Sequence, residues 1–230
     1  MRVTIDGPSV SGKSTVARAV AKELHYFYIA SGYIYRGLAY ALMHLSDYTQ
    51  DTIGQVQESD IAFCLNVSRF AYHYDAVHAE RIICNGVDIT THLKTPAIDT
   101  ATSVLATNEL VRMQVLHYIR ALANHHDIVI DGRDCGSVVF PQAEYKFYLT
   151  ASLPARALRW QAMQASVGKH VSLDESKARI FERDERDSAR AAAPLKIPSG
   201  AYVIDSSDLT AEDVIALIVS RVCEQKKEEA

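Results

Sequence analysis

Near the start of the chain, Gly7-Pro8-Ser9-Val10-Ser11-Gly12-Lys13-Ser14-Thr15 carries the spacing G-x-x-x-x-G-K-[ST]. That spacing suits a loop that cradles the phosphates of a nucleoside triphosphate such as ATP. Gly7 and Gly12 let the backbone turn tightly and come close to an anion. Unpaired N–H groups at the start of a following helix point at the phosphates. Lys13 adds a positive charge for the β- and γ-phosphates, and Ser14 offers a hydroxyl to Mg²⁺. The plain alternative is a glycine-rich turn with an incidental lysine. The flanks argue against it: Val3-Thr4-Ile5 reads as a strand, and residues 16–24 as a helix with Val16, Val20 and Leu24 on one apolar stripe.

Three further clusters could do chemistry. Asp131-Gly132-Arg133-Asp134 follows the β-branched run Ile128-Val129-Ile130. Two carboxylates around a guanidinium at the end of a buried strand are costly to place without a polar task; the plain alternative is a solvated loop with a local ion pair, and the position beside the phosphate-loop strand argues against it. In Arg183-Asp184-Glu185-Arg186-Asp187-Ser188-Ala189-Arg190, positions 183, 186, 187 and 190 are spaced to share one helical face. Arg186 and Arg190 repel each other there, which suits closure over an anion. The favourable pairs Glu182–Arg186 and Arg183–Asp187 equally suit a solvated face. Ser31-Gly32-Tyr33-Ile34-Tyr35-Arg36, taken alone, reads as a capped amphipathic helix with core tyrosines.

The elements that must position these residues alternate. Residues 26–29 read as a second strand, and Ser31 as the N-cap of a helix over 32–44. Short strands over 67–74 and 81–84, with the turn signal Asn85-Gly86, make a small antiparallel insert. Thr95 caps a helix that opens on Pro96, and Asn108 starts another to about 124, with His125-His126 expected to cap its end. Residues 128–131 read as a strand buried on both faces, 145–149 and 201–204 as further strands, and 154–166 and 173–189 as helices. Thr210-x-x-Asp213 is a capping box for the last helix. Alternating strands and helices predict an α/β domain with a parallel sheet covered by helices, the phosphate site lying at the carboxyl ends of the strands.

The 230 residues, 48% hydrophobic and 23% charged, suit one soluble α/β domain. A formal charge of −4 argues against binding nucleic-acid polymers or a membrane surface. No run reaches membrane-spanning length and the first strand begins at residue 2, so no signal peptide is expected. Four scattered cysteines without metal spacing read as reduced thiols, which predicts a cytoplasmic protein. With no large exposed apolar face in view, a monomer is expected.

With these clusters in order, the chain resembles the bacterial cytidylate kinases, which pass the γ-phosphoryl of ATP to CMP or dCMP. GPSVSGKST, SGYIYR, DGRDCGSVVFP and ERDERDSARAAAPL carry the resemblance. It implies a P-loop kinase core with a five-stranded parallel sheet over residues 1–37, 95–155 and 191–230. It also implies a monophosphate-binding region over about 38–94 holding the antiparallel insert, and a helical lid over about 156–190. Carried over, it puts Gly7 to Thr15 on ATP, with Mg²⁺ at Ser14, and Ser31, Tyr35, Arg36, Arg133, Arg183 and Arg190 around the phosphate and sugar of CMP. Asp131 belongs to the same acceptor set, Asp187 to the ribose hydroxyls, and Ser103, Arg112 and Asp134 to the pyrimidine. Lys13 and the lid residues Arg159 and Arg186 fall along the transferring phosphoryl group.

The chain departs from that pattern at five positions. Ala30 stands where Asp is usual, which removes a carboxylate near the phosphates. Trp160 replaces one of two lid arginines, Ala189 an Asn, and Val10 a Gly or Ala. Cys135 takes an apolar position and reads as buried filler. A kinase for UMP, shikimate or another small acceptor, and a weakened nucleotide-binding homologue, remain the competing readings. Asp134 and Arg112 discriminate the first of these. No Asn-Lys-x-Asp guanine reader is present, which argues against a GTPase switch.

Overall fold

The computed structural model describes residues 1–77 and 79–228. Strands β1 (Arg2–Asp6), β2 (Phe27–Ala30), β6 (Ile128–Gly132), β7 (Tyr145–Thr150) and β8 (Tyr202–Asp205) form a sheet in the order β2-β6-β1-β7-β8. β1 runs parallel to β6 and β7, and β7 parallel to β8. Strands β3 (Phe70–Asp75), β4 (Ala79–Cys84) and β5 (Val87–Asp88) form a separate antiparallel sheet. The helices are α1 (Lys13–Leu24), α2 (Ser31–Leu45), α3 (Glu58–Cys64), α4 (Pro96–Leu105), α5 (Glu109–Ala123), α6 (Leu153–Ala165), α7 (Leu173–Ser188) and α8 (Ala211–Glu228). The chain divides into two compact units, Met1–Tyr26 with Ile128–Ala230, and Phe27–Asp127.

At the centre of the first unit, β1 and β6 are buried along nearly their whole length, while β7 alternates buried and half-buried residues. Ile128, Val129 and Ile130 are fully buried, as are Val3 and Ile5 beside them. Each such side chain contributes about 1.5–3 kcal/mol on leaving water. Helix α1 turns Val16, Ala17, Val20 and Ala21 inward; of the predicted stripe Val16 and Val20 are buried, while Leu24, the last residue of the helix, is only half-buried. The register pairs Ile5 with Asp131 and Asp6 with Gly132. The phosphate-loop sequence and the 131–134 cluster therefore leave the sheet at the same edge.

The second unit holds the hairpin insert. Asn85 and Gly86 both have positive φ, 48° and 78°, and join Cys84 to Val87 in a two-residue turn of the kind the sequence predicts. Thr95 Oγ1 accepts the Ile98 N–H, and Asn108 Oδ1 those of Leu110 and Val111, so both predicted caps form.

Local competition moves several boundaries. β3 begins at Phe70 rather than 67 because Asn66 makes its own turn, Oδ1 accepting from Ser68 N–H at 3.0 Å and Oγ at 2.7 Å. Ser31 is not an N-cap. It is the first residue of α2 and Ala30 holds the cap position, the Ala30 N–H donating to Tyr72 Oη. The end of α5 is closed by backbone, Asn124 N–H on Ala121 O and His126 N–H on Ala123 O. The His126 ring stacks on Phe27 instead, at 4.7 Å. All four cysteines are free; Cys64, Cys84 and Cys135 are buried and Cys223, on α8, is exposed. Among the described residues no helix is long and apolar enough to cross a membrane.

Candidate active site

Where β1 ends, Gly7 turns the chain at φ +151°, and a Cβ there would lie 2.0 Å from the Leu149 carbonyl oxygen. No other residue fits. Gly12, at φ +95°, is the N-cap of α1 and no side chain caps the helix, leaving the first-turn amides open to an anion. Lys13 Nζ donates to Pro8 O at 2.5 Å and to Ser11 Oγ at 3.2 Å, closing the loop on itself. Burial first, then the neighbouring Arg133, pushes the Lys13 ammonium well below its usual range, with Asp131, Asp184 and Asp187 opposing. Ser14 Oγ donates to Asp131 Oδ2 at 2.8 Å. A hydroxyl and a carboxylate in contact form a hard oxygen pair, which fits Mg²⁺. Val10 lies in the left-handed region at φ 59°, at a cost of about 1–2 kcal/mol for an L-residue and more unusual for a β-branched one.

The turn after β6 brings Arg133 and Asp134 to the same edge. Arg133 Nε donates to Asp187 Oδ2 at 2.7 Å and Nη2 to Ser9 Oγ at 3.0 Å. Burial alone would lower Arg133, but Asp187, Asp184 and Asp131 outweigh it and hold the guanidinium charged. Burial likewise raises Asp187, and Arg133, Arg190 and Arg183 outweigh it and bring its carboxyl below the usual range. Asp134 is buried at 7% exposure. Its turn is fixed from beneath by Asp6, whose carboxylate accepts Cys135 N–H at 2.8 Å and Gly136 N–H at 2.7 Å. Burial raises Asp6 to about 6 against those two amide bonds. Cys135 is buried, as expected of a filler.

The arginine face of α7 is shorter than the spacing predicts. Ala189 caps the helix, and the Asp187 carbonyl accepts Leu195 N–H at 2.8 Å, so the chain turns back before Arg190. Arg190 reaches Asp187 from outside the helix, its Nε donating to that residue's carbonyl at 3.1 Å. Glu182 and Arg186 form the expected pair at 3.7 Å and stay largely exposed. Arg159, on α6, bonds to Ser11 O and to the Ser206 hydroxyl and carbonyl. Trp160 carries Arg179 over its ring at 5.5 Å.

Asp6, Arg156, Asp184 and Ser206 join the site with no signal in the sequence that marks them for it. Arg156 donates through Nε to Ala151 O and through Nη1 to Ser9 O, and is paired with Asp184, which accepts the Ser9 N–H. Asp184 lay inside the charged run, but nothing in its spacing set it apart from its neighbours.

In the second unit, α2 carries Ser31, Tyr35 and Arg36, α4 carries Ser103 and α5 carries Arg112. Arg112 is buried, donates through Nη1 to Ala106 O at 3.1 Å, and lies 5.9 Å from the Tyr35 ring centre. Arg36 pairs with Asp99 and donates to Leu93 O at 2.6 Å. Tyr72 Oη receives the Ala30 N–H at 2.9 Å and donates to Tyr28 O at 3.0 Å, anchoring the backbone at the end of β2.

A parallel sheet whose first strand feeds a lysine-bearing glycine loop into a helix defines a nucleotide-binding P-loop fold. The family model described as "Cytidylate kinase" matches residues 3–224, and the chain belongs to that family. A cytidylate kinase from Thermodesulfovibrio yellowstonii is 36% identical over 226 residues, covering 96% of this chain and 97% of the relative. One from Geobacter sulfurreducens is 36% identical over 228 residues, covering 98% and 94%. Among solved structures, an uncharacterized protein from Eubacterium ventriosum superposes with a TM-score of 0.53 at 11% identity, over 97% of this chain and 98% of that one. That likeness concerns the fold alone.

Proposed function

We propose that this chain transfers the γ-phosphoryl group of ATP to CMP or dCMP, giving ADP and CDP or dCDP. The observation that carries the reading is Arg133, which holds Asp187 with one nitrogen and the loop residue Ser9 with another. A loop shaped for the donor's phosphates is thereby joined to an arginine cluster suited to a second phosphate. An acceptor phosphate oxygen attacks the γ-phosphorus, the new P–O bond forms, and the bond to the β-bridging oxygen breaks as ADP leaves.

Residues 7–15 bind the ATP phosphates, and Lys13, Arg159 and Arg186 neutralise charge along the transferring group. Arg36, Arg133, Arg183 and Arg190, with Ser31 and Tyr35, surround the acceptor's phosphate and sugar, Asp131 belongs to the acceptor set without touching the phosphate, and Asp187 takes ribose hydroxyls. Ser103, Arg112 and Asp134 read the base. The Asp134 carboxylate accepts from the cytosine amino group and repels the carbonyl that uracil has there. Mg²⁺, when bound with ATP at Ser14 beside Asp131, neutralises phosphate charge. Residues 1–37, 95–155 and 191–230 serve as core, about 38–94 as monophosphate region, and about 156–190 as a lid whose closure excludes water. The protein works in the cytoplasm, a reading its free thiols support, and as a monomer.

ADP release measured with CMP, dCMP, UMP and AMP under Mg²⁺ tests this. Rates with CMP and dCMP should exceed those with UMP and AMP by about tenfold or more. Equal turnover of UMP and CMP would overturn the base assignment, and no CMP-dependent ADP release would overturn the kinase reading.

A further inference from the structure

We propose that Arg156 and Asp184 act as a positioning pair that forces Val10 into the left-handed conformation the phosphate-binding loop needs. The inference rests on that loop taking ATP. Val10 sits at φ 59° in the middle of the loop. A β-branched residue rarely adopts that conformation, so its own preference opposes the loop shape. Something outside the residue must hold it there.

The peptide groups on either side of Ser9 are held by charged side chains. Its N–H donates to Asp184 Oδ1 at 2.8 Å, and its carbonyl, part of the peptide leading into Val10, accepts from Arg156 Nη1 at 3.1 Å. Fixing that carbonyl fixes the peptide plane from which the φ of Val10 is measured. Arg156 is in turn oriented by Ala151 O at 2.9 Å and paired with Asp184. It is 8% exposed, so no water competes freely for its guanidinium. Arg156 comes from α6 and Asp184 from α7. The grip on Ser9 therefore exists only while both helices are docked against the loop, and it couples the shape of the ATP site to those helices.

A double-mutant cycle separates this role from general support, because glycine at position 10 needs no holding. ATP affinity with Mg²⁺ is measured by calorimetry for the wild type, Asp184→Ala, Val10→Gly and the double variant. Asp184→Ala should weaken ATP binding about tenfold with Val10 in place, about 1.4 kcal/mol, and less than about threefold in the Val10→Gly background. In steady state it should raise KM for ATP more than KM for CMP. Asp184→Asn, which keeps an acceptor for the Ser9 N–H, should recover part of the loss. An equal loss in both backgrounds overturns the proposal. So does tighter binding by Asp184→Ala, which would mean that the carboxylate occupies a phosphate's place. If Asp184→Ala fails to fold, Arg156→Lys goes through the same cycle, with the same two outcomes deciding. A wild type that binds ATP without phosphorylating CMP would sink the acceptor assignment and leave this test intact. A wild type that binds no ATP overturns both.

Discussion

Ser14 Oγ donates to Asp131 Oδ2 at 2.8 Å, which ties the first turn of α1 to the carboxyl end of the neighbouring strand across 117 residues of chain. On the proposed Mg²⁺ role of Ser14, loss of a partner that orients its hydroxyl should change metal affinity by about 10–100-fold. Asp131→Asn should therefore raise the Mg²⁺ concentration for half-maximal rate about tenfold. A Mg²⁺ titration at saturating nucleotide reads this directly, and an unchanged midpoint would remove Asp131 from any metal role.

Asp134 should set the choice of base. With Asn at this position the group presents a donor as well as an acceptor, and uracil's carbonyl is no longer repelled. Asp134→Asn should reduce the CMP-to-UMP ratio of kcat/KM by about tenfold or more, while KM for ATP moves little. A ratio that stays constant would count against the base assignment.

The buried carboxyl of Asp6, raised to about 6, makes a pH prediction with a definite sign. The folded state binds the proton more tightly than the unfolded chain, so the contribution of this group is fully present below the usual carboxylate range. It is lost as pH rises through about 6. Relative to Asp6→Asn, the wild type should lose about 2 kcal/mol of stability between about pH 4 and pH 7. Urea unfolding of both proteins across that range isolates Asp6 from the other carboxylates, and a constant difference would show that Asp6 does not titrate there.

Tyr72→Phe should destabilise the unit formed by Phe27–Asp127. The Ala30 N–H loses its acceptor and the Tyr28 carbonyl a donor, both in the interior. An orphaned buried amide costs about 1–3 kcal/mol. The midpoint of urea unfolding should fall accordingly with the slope unchanged, and a shift below about 0.5 kcal/mol would mean that both groups find other partners.

The elements closest to their own local chemistry were the most legible in the sequence. The glycine loop needs Gly7 because a carbonyl passes against it, and Ile128-Val129-Ile130 reads as a two-sided buried strand because both faces are covered. Thr95-Pro96 and Asn108 announce their helices through hydrogen bonds no more than three residues long. The face at 183–190 was only half legible, because the chain's return to bond Leu195 with the Asp187 carbonyl ends the helix before its period does. Helix α3 went unread; it spans only Glu58–Cys64 and buries just Ile61 and Cys64. The grip on Ser9 was not legible at all. Its partners lie 147 and 175 residues away, and no local pattern distinguishes Asp184 from Glu185 beside it.

The distribution of the four thiols gives the molecule a ready optical handle. With Cys64, Cys84 and Cys135 buried and Cys223 exposed on α8, a maleimide dye should attach at one position of the native fold without any engineered cysteine. Its emission and anisotropy would then follow nucleotide binding from a fixed point on the first unit.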